Sequence, residues 1–231
     1  MSDEITIKVP DGEFFAHVEA PAQASAPAVV VIQEIFGVNQ VMRDICAWLA
    51  GEGFLAVCPD LFWRIEPRIE LTDKTEEEWK RAFELFGAFD VDKGAEDIQA
   101  AIAAARTHQG CSGKVGSIGY CLGGKMAYLA STRTDTDASV GYYGVQIDQI
   151  LDEASKISKP LMLHIATEDQ FVPKESQQAM IDGLKDNPQV TLHVYEGNDH
   201  AFARVGGEHY DAEAAKRAND RSIEFLKSHL G

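Results

Sequence analysis

Gly119-Tyr120-Cys121-Leu122-Gly123 sets a thiol between two glycines at the spacing of a nucleophile elbow, with a strand-like run before it and a helix-like run after it. A nucleophile at the tip of such a turn needs neighbours without Cβ atoms, so that strand and helix can close. The following helix N-terminus favours negative charge on a thiolate or an oxyanion. Taken alone, the pattern also fits a Gly-rich turn around a structural cysteine. Two further groups tip the balance. Asp169 follows the apolar run Leu161 to Ala166, and His200 ends Gly197-Asn198-Asp199-His200 after the run Val190 to Glu196. In this chain order, each beyond a strand, the three residue types form a hydrolytic triad. His200 serves as base toward Cys121, while Asp169 fixes the imidazole tautomer and stabilises its cation.

The elements that must position these groups are legible as alternating patterns. Ile5 to Val9 and Phe14 to Val18 flank Asp11-Gly12, which predicts a hairpin with positive φ at its turn. Ala28 to Gln33 is a continuous β-branched run of the kind buried on both faces of a parallel sheet. A loop (Glu34 to Val38), a helix (Val41 to Ala50) and a strand (Phe54 to Cys58) complete one βαβ unit. Thr75 and Glu78 form a capping-box signature, and the helix they open carries Trp79, Phe83 and Phe86 on one face. An Ala-rich helix (Lys93 to Thr107) precedes the strand Lys114 to Gly119. Beyond the elbow come a helix through Met126 to Ala130, strands Ala138 to Tyr143 and Pro160 to Ala166, helix Lys174 to Leu184, strand Val190 to Glu196 and a last helix ending near His229. The alternation predicts an α/β fold: a mostly parallel sheet, helices on both faces, one domain over 1–231.

Composition narrows the partners. The 231 residues carry 21 Lys plus Arg against 37 Asp plus Glu, a net charge of −16. Such a chain is repelled by polyanions, so neither nucleic acid nor an anionic membrane surface is expected as a partner. No run reaches the roughly 18 apolar residues of a membrane span, and the segment Met1 to Pro10 is charged and strand-like rather than signal-like, so the expected compartment is the cytoplasm. Cys46, Cys58, Cys111 and Cys121 show no CxxC or zinc spacing and read as free thiols. His164 and His193 lie within strands, the other histidines besides His200 on surfaces, with no metal-ligating pairs. No metal and no cofactor are expected.

The chain resembles the dienelactone hydrolase family through Gln33-Glu34-Ile35-Phe36-Gly37, Cys58-Pro59-Asp60-Leu61, Gly119-Tyr120-Cys121-Leu122-Gly123-Gly124, Gly141-Tyr142-Tyr143-Gly144-Val145 and His200-Ala201-Phe202-Ala203-Arg204. The resemblance spans nearly the whole chain and implies an α/β-hydrolase fold and cleavage of an enol-lactone of chloroaromatic breakdown. It further implies attack by Cys121, completion of the triad by His200 and Asp169, and an oxyanion hole of the Leu122 and Ile35 amides. Glu34 is implied to hold the resting thiol as a proton partner, the alternative being a plain loop carboxylate. Arg204 is implied to grip a substrate carboxylate, the alternative being a surface ion pair. Phe36, Tyr143, Trp79 and Phe83 complete the expected substrate-binding set.

Trp79 is a departure. It stands where better-known members have a second carboxylate-binding Arg, and Arg81 lies about 200° around the helix axis from it. Trp79 reads either as a hydrophobic wall beside Phe83 and Phe86 or as core. Thiol chemistry points to an activated ester, because a thiolate leaves a tetrahedral intermediate more readily than an alkoxide, whereas an enolate competes with it. The expectation is a cysteine hydrolase of a small, carboxylate-bearing ester or lactone, monomeric or a small homo-oligomer. The competing readings are a non-catalytic ligand-binding homologue, an esterase for larger and less anionic esters, and a redox thiol at Cys121.

Overall fold

Side chains alternate across a strand, so a strand can bury successive residues only when both its faces are covered. The computed structural model, which describes residues 2–231, shows such burial in β4 (Leu55–Pro59), β6 (Ala138–Tyr142) and β7 (Leu161–Ala166). The remaining strands are β1 (Ser2–Val9), β2 (Gly12–Glu19), β3 (Ala26–Ile32), β5 (Cys111–Tyr120) and β8 (Val190–Tyr195). The helices are α1 (Gln40–Gly51), α2 (Glu76–Ala88), α3 (Val91–Thr107), α4 (Leu122–Arg133), α5 (Lys174–Leu184) and α6 (Ala212–Leu230). Met1, which heads the segment read as strand-like, lies outside the described residues.

The chain divides into two compact units, one up to Ser117 and one of Ile118–Gly231, with β5 crossing the boundary. In the first unit the strand order is β1-β2-β4-β3-β5. β1 pairs with β2 and β2 with β4 antiparallel, whereas β3 and β4 run parallel with Ala28 opposite Leu55. Helices α1 and α3 both pack on β3 and β4. In the second unit the order continues β5-β6-β7-β8, with β6, β7 and β8 mutually parallel and helices α4 and α6 against β6 and β7. The register sets Ala166 of β7 level with Tyr195 of β8. The residues that follow these two strands are thereby delivered to the same carboxyl edge, where open α/β sheets place their sites.

Caps fix the helix starts. The Asn39 side chain accepts the Met42 amide at 3.2 Å, and Thr75 Oγ1 accepts the Glu78 amide at 3.2 Å. Glu78 turns its own carboxylate to Thr72, accepting from the amide at 2.8 Å and the hydroxyl at 2.6 Å.

Several local expectations need correction. Val9 pairs with Gly12, so the hairpin turn is Pro10-Asp11 and not Asp11-Gly12. Gly12 is required for space instead, since a Cβ there would lie 2.6 Å from the Trp63 ring. His17 is no surface residue: it is buried on β2 opposite Cys58, with Nε2 3.5 Å from Glu19. Burial holds its pKa below the ordinary value, against the pull of the Glu19 charge. The buried face of α2 is Ala82 and Leu85, while Phe83 is 47% exposed. A 3-10 segment, Ile147–Lys156, fills the stretch between β6 and β7 to which the sequence patterns assign no element, and its Glu153 is buried against Arg133 and Thr132.

Candidate active site

The elbow is built by backbone contacts. Cys121 has φ 57° and ψ −115°, a strained conformation for a residue with a side chain. Its N–H donates to the Tyr142 carbonyl at 3.1 Å, and its carbonyl accepts from Gly124 at 2.9 Å and Lys125 at 3.2 Å. A Cβ on Gly119 would fall 1.9 Å from the Gly123 oxygen, and one on Gly124 2.5 Å from the Tyr142 oxygen. Only glycine lets strand, turn and helix approach this closely. Cys121 is the N-cap of α4 and makes no side-chain cap bond. The Leu122 amide, which opens that helix, is among the donors a helix leaves for an incoming anion.

Asp169 lies three residues beyond β7 and His200 five beyond β8. Their loops are tied together, since Glu168 N–H donates to the Asn198 carbonyl at 2.8 Å and Gly197 N–H to Thr167 Oγ1 at 2.9 Å. Asp169 Oδ1 accepts from the Phe171 amide at 2.8 Å, leaving Oδ2 2.8 Å from His200 Nδ1. The carboxylate therefore selects the tautomer protonated at Nδ1, which leaves the lone pair of the neutral ring on Nε2. His200 is only 2% exposed. Among the described residues its Nε2 has no well-formed hydrogen bond, yet Cys121 lies close enough to act on the ring both as a charge and through a looser hydrogen-bonding contact. Burial opposes protonation of the imidazole. The Cys121 and Asp169 charges outweigh it and carry the His200 pKa up to about 10.

Aromatic rings hold the imidazole. Tyr143 and Phe171 have ring centroids 5.0 and 4.8 Å from that of His200, and Tyr143 also meets Phe202 at 5.6 Å. A small pocket walled by Leu163, Ile165, Val172 and Met180 reaches Tyr143 and Asp169, and neither Cys121 nor His200 is among its lining residues. Arg204 follows on the same loop as His200 and is buried, at 8% exposure.

A family model described as the dienelactone hydrolase family matches residues 14–230. The chain belongs to the dienelactone hydrolase family. A relative from Azospirillum brasilense, provisionally named a carboxymethylenebutenolidase, is 51% identical over 223 residues, 96% of each chain. The carboxymethylenebutenolidase of Pseudomonas putida is 41% identical over 227 residues, covering 98% of this chain and 96% of that one. A crystal structure from Klebsiella pneumoniae, provisionally named a dienelactone hydrolase, superposes with a TM-score of 0.87 at 26% identity over 98% of both chains. Membership in the dienelactone hydrolase family makes this chain a hydrolase with the α/β-hydrolase fold, as the resemblance implies, and its layers are those the strand–helix alternation predicts.

The other expected site residues of this dienelactone hydrolase family member lie in the first unit. Glu34, Ile35 and Phe36 are buried, at 2%, 5% and 2% exposure. Leu71 N–H donates to the Phe36 carbonyl at 2.9 Å, which straps that loop. Trp79 is half-buried and lies beside Phe83. Its ring meets the edge of Phe36 at 5.0 Å and stacks on Phe83 at 5.6 Å, and Nε1 donates to the Asp73 carbonyl at 3.1 Å. Arg81, on another side of α2, pairs with Glu66 at 2.7 Å and Glu84 at 3.0 Å. Phe171 was missed from sequence. The signal was an aromatic residue two positions after Asp169, in the loop between β7 and α5.

Among the described residues no group of three or more His, Cys, Asp or Glu side chains could hold a metal ion, and no helix is long and apolar enough to cross a membrane. All four cysteines are free thiols. His164 is buried, with Nδ1 2.8 Å from the Tyr195 hydroxyl and Nε2 2.9 Å from Ser222 Oγ.

Proposed function

We propose that the chain, acting as one catalytic domain over 1–231, hydrolyses a small activated ester or enol-lactone bearing a carboxylate, through an acyl-enzyme on Cys121. The observation that carries this reading is the buried 2.8 Å contact of Asp169 Oδ2 with His200 Nδ1, on a ring whose protonated form Cys121 stabilises. The name of the Pseudomonas putida relative, a carboxymethylenebutenolidase 41% identical, supports a dienelactone-like substrate.

In this reading the Cys121 thiolate attacks the ester carbonyl and forms a C–S bond. The oxyanion is met by the Leu122 amide at the start of α4, and each such donor is worth about 2.7–4 kcal/mol of barrier. Collapse breaks the ester C–O bond. The leaving enolate takes the proton of the His200 imidazolium, and Asp169 balances the ring throughout. His200 then takes a proton from water, the resulting hydroxide adds to the thioester, and the thiolate is expelled. Family resemblance adds the Ile35 amide as second oxyanion donor, Glu34 as proton partner of the resting thiol, and Arg204 as carboxylate clamp.

The aromatic stack of Trp79 on Phe83 supports a second reading, an ester larger and less anionic than a dienelactone. Pre-steady-state turnover of an enol-lactone and of neutral aryl esters separates the two. A burst of one phenolate per chain from the aryl ester, and of one ring opening per chain from the enol-lactone, is expected, abolished in Cys121→Ala. Full hydrolysis by Cys121→Ala would overturn the mechanism. Trp79→Arg is expected to raise preference for the anionic substrate, and an unchanged preference would remove Trp79 from the pocket.

A further inference from the structure

We propose that Asp199 is a positioning residue for the reaction, a single carboxylate oxygen that holds both the backbone of the base and the backbone of the loop carrying its acidic partner. The inference rests on the reading of Cys121, His200 and Asp169 as the catalytic set. Asp199 Oδ1 accepts from the His200 amide at 2.6 Å and from the Gln170 amide at 3.1 Å. Gln170 directly follows Asp169. The amide of the base and the amide next to the acid therefore converge on one atom, on the backbone side of the Asp169–His200 contact. The other oxygen, Oδ2, faces His209 Nδ1 at 3.6 Å, and the Gln170 side-chain nitrogen lies 3.4 Å from His209 Nε2. An outer His thus closes over the junction, with Asp199 three-quarters buried beneath it.

Two features give this junction mechanical weight. Ala201, the residue after His200, has φ 61°, a left-handed conformation that a residue with a Cβ holds only where its surroundings over-determine it. The other ties between the two loops, Glu168 to Asn198 and Gly197 to Thr167, lie upstream of the acid and the base. Among the described residues, Asp199 supplies the tie at the level of the dyad itself. A carboxylate suits the task because charge-assisted bonds to two N–H donors are shorter and stronger than neutral ones. Removing it leaves the loops connected but lets the imidazole drift. A misplacement of about 1 Å can cost about 10²-fold in rate.

The test compares Asp199→Ala and Asp199→Asn with the parent enzyme and with Cys121→Ala, using an enol-lactone or a p-nitrophenyl ester. For Asp199→Ala the expected result is a fall in kcat of ~10- to 100-fold with KM within about twofold, since ring placement and not binding is lost. Asp199→Asn keeps an oxygen for both amides and is expected to recover kcat to within about threefold. Alkylation of Cys121 by iodoacetamide across pH is the second measurement. Its profile is expected to move to higher pH in Asp199→Ala and to follow the parent in Asp199→Asn. Should Asp199→Ala not fold, Asp199→Ser takes its place in the same comparison. Native kcat and a native alkylation profile in the Ala or Ser variant would overturn the proposal, as would Asn failing as badly as Ala. Hydrolysis surviving in Cys121→Ala is a different outcome, which removes the catalytic reading beneath it.

Discussion

Adding one methyl group at Gly119 should disable the elbow, whereas the same addition at Gly87 should strengthen the protein. At Gly119 the new Cβ would lie 1.9 Å from the Gly123 oxygen, 2.4 Å from its carbon and 3.0 Å from its Cα, all backbone atoms with no rotamer to change. Restoring even a tight 3.0 Å separation requires the strand and the first turn of α4 to part by about 1.1 Å. Overpacking of this kind costs about 1–3 kcal/mol. For a chain of this length each kcal/mol moves the melting temperature by about 2–4 °C, so a fall of about 2–12 °C is expected. Turnover should suffer more than stability, because a shift of about 1 Å in the reacting group costs about 10²-fold. At Gly87, near the end of α2, nothing lies within 4 Å of the added Cβ, and Gly→Ala should stabilise by about 0.4–1 kcal/mol. Calorimetry and ester turnover on both variants check the pair. A Gly119→Ala protein with parental melting temperature and turnover would refute the argument from backbone contact.

Because the folded His200 pKa is raised from 6.5 to about 10, the ring contributes stability that is full below about pH 6.5 and lost as pH climbs through about 10. The gap in melting temperature between parent and His200→Gln should therefore be widest near pH 6 and narrow by pH 10; a constant gap would contradict it. Asp97 is fully buried and accepts from Trp63 Nε1 at 2.9 Å and from the Arg64 guanidinium at two nitrogens. Breaking a buried pair costs about 3–5 kcal/mol, but Arg64 is 24% exposed and keeps Asp11, so Asp97→Ala is expected to lose about 2–3 kcal/mol by urea titration. Cys46 and Cys58 are fully buried, and burial with the Cys58 contact pushes the Cys46 thiol up. In the native protein iodoacetamide should label Cys121 first and the partly exposed Cys111 next. It should reach Cys46 and Cys58 only after unfolding, as peptide mass mapping would show.

Local patterns were legible where one physical term dominates. Helix α5 begins and ends at the residues its periodicity predicts, Lys174 and Leu184, and the Thr75 cap sits where its side chain meets the Glu78 amide. The order Cys121, Asp169, His200 could be read because each group falls just past a strand-like run. What failed depended on neighbours distant in sequence. Gly12 looked like a turn glycine, but its lack of a Cβ accommodates Trp63, 51 residues on. His17 reads as polar surface until β4 is laid beside β2. The 3-10 segment hides because its ladder is short and bent at Ile150, where φ is −131°. Asp199 sits in an Asn-Asp run that any turn could contain, and only the meeting of two loops gives it two amides to hold.

The unusual backbone of Cys121 is bonded through its own N–H and carbonyl, to Tyr142, Gly124 and Lys125, and by no cap bond of its side chain to the helix it opens. The socket is accordingly indifferent to which atom it presents. Sulfur could be exchanged for oxygen there without rebuilding the turn, so under the proposed mechanism the choice between the two elements is free to follow the leaving group of the ester rather than the demands of folding. A lineage built on this scaffold can change its chemistry by one atom while its architecture stays the same.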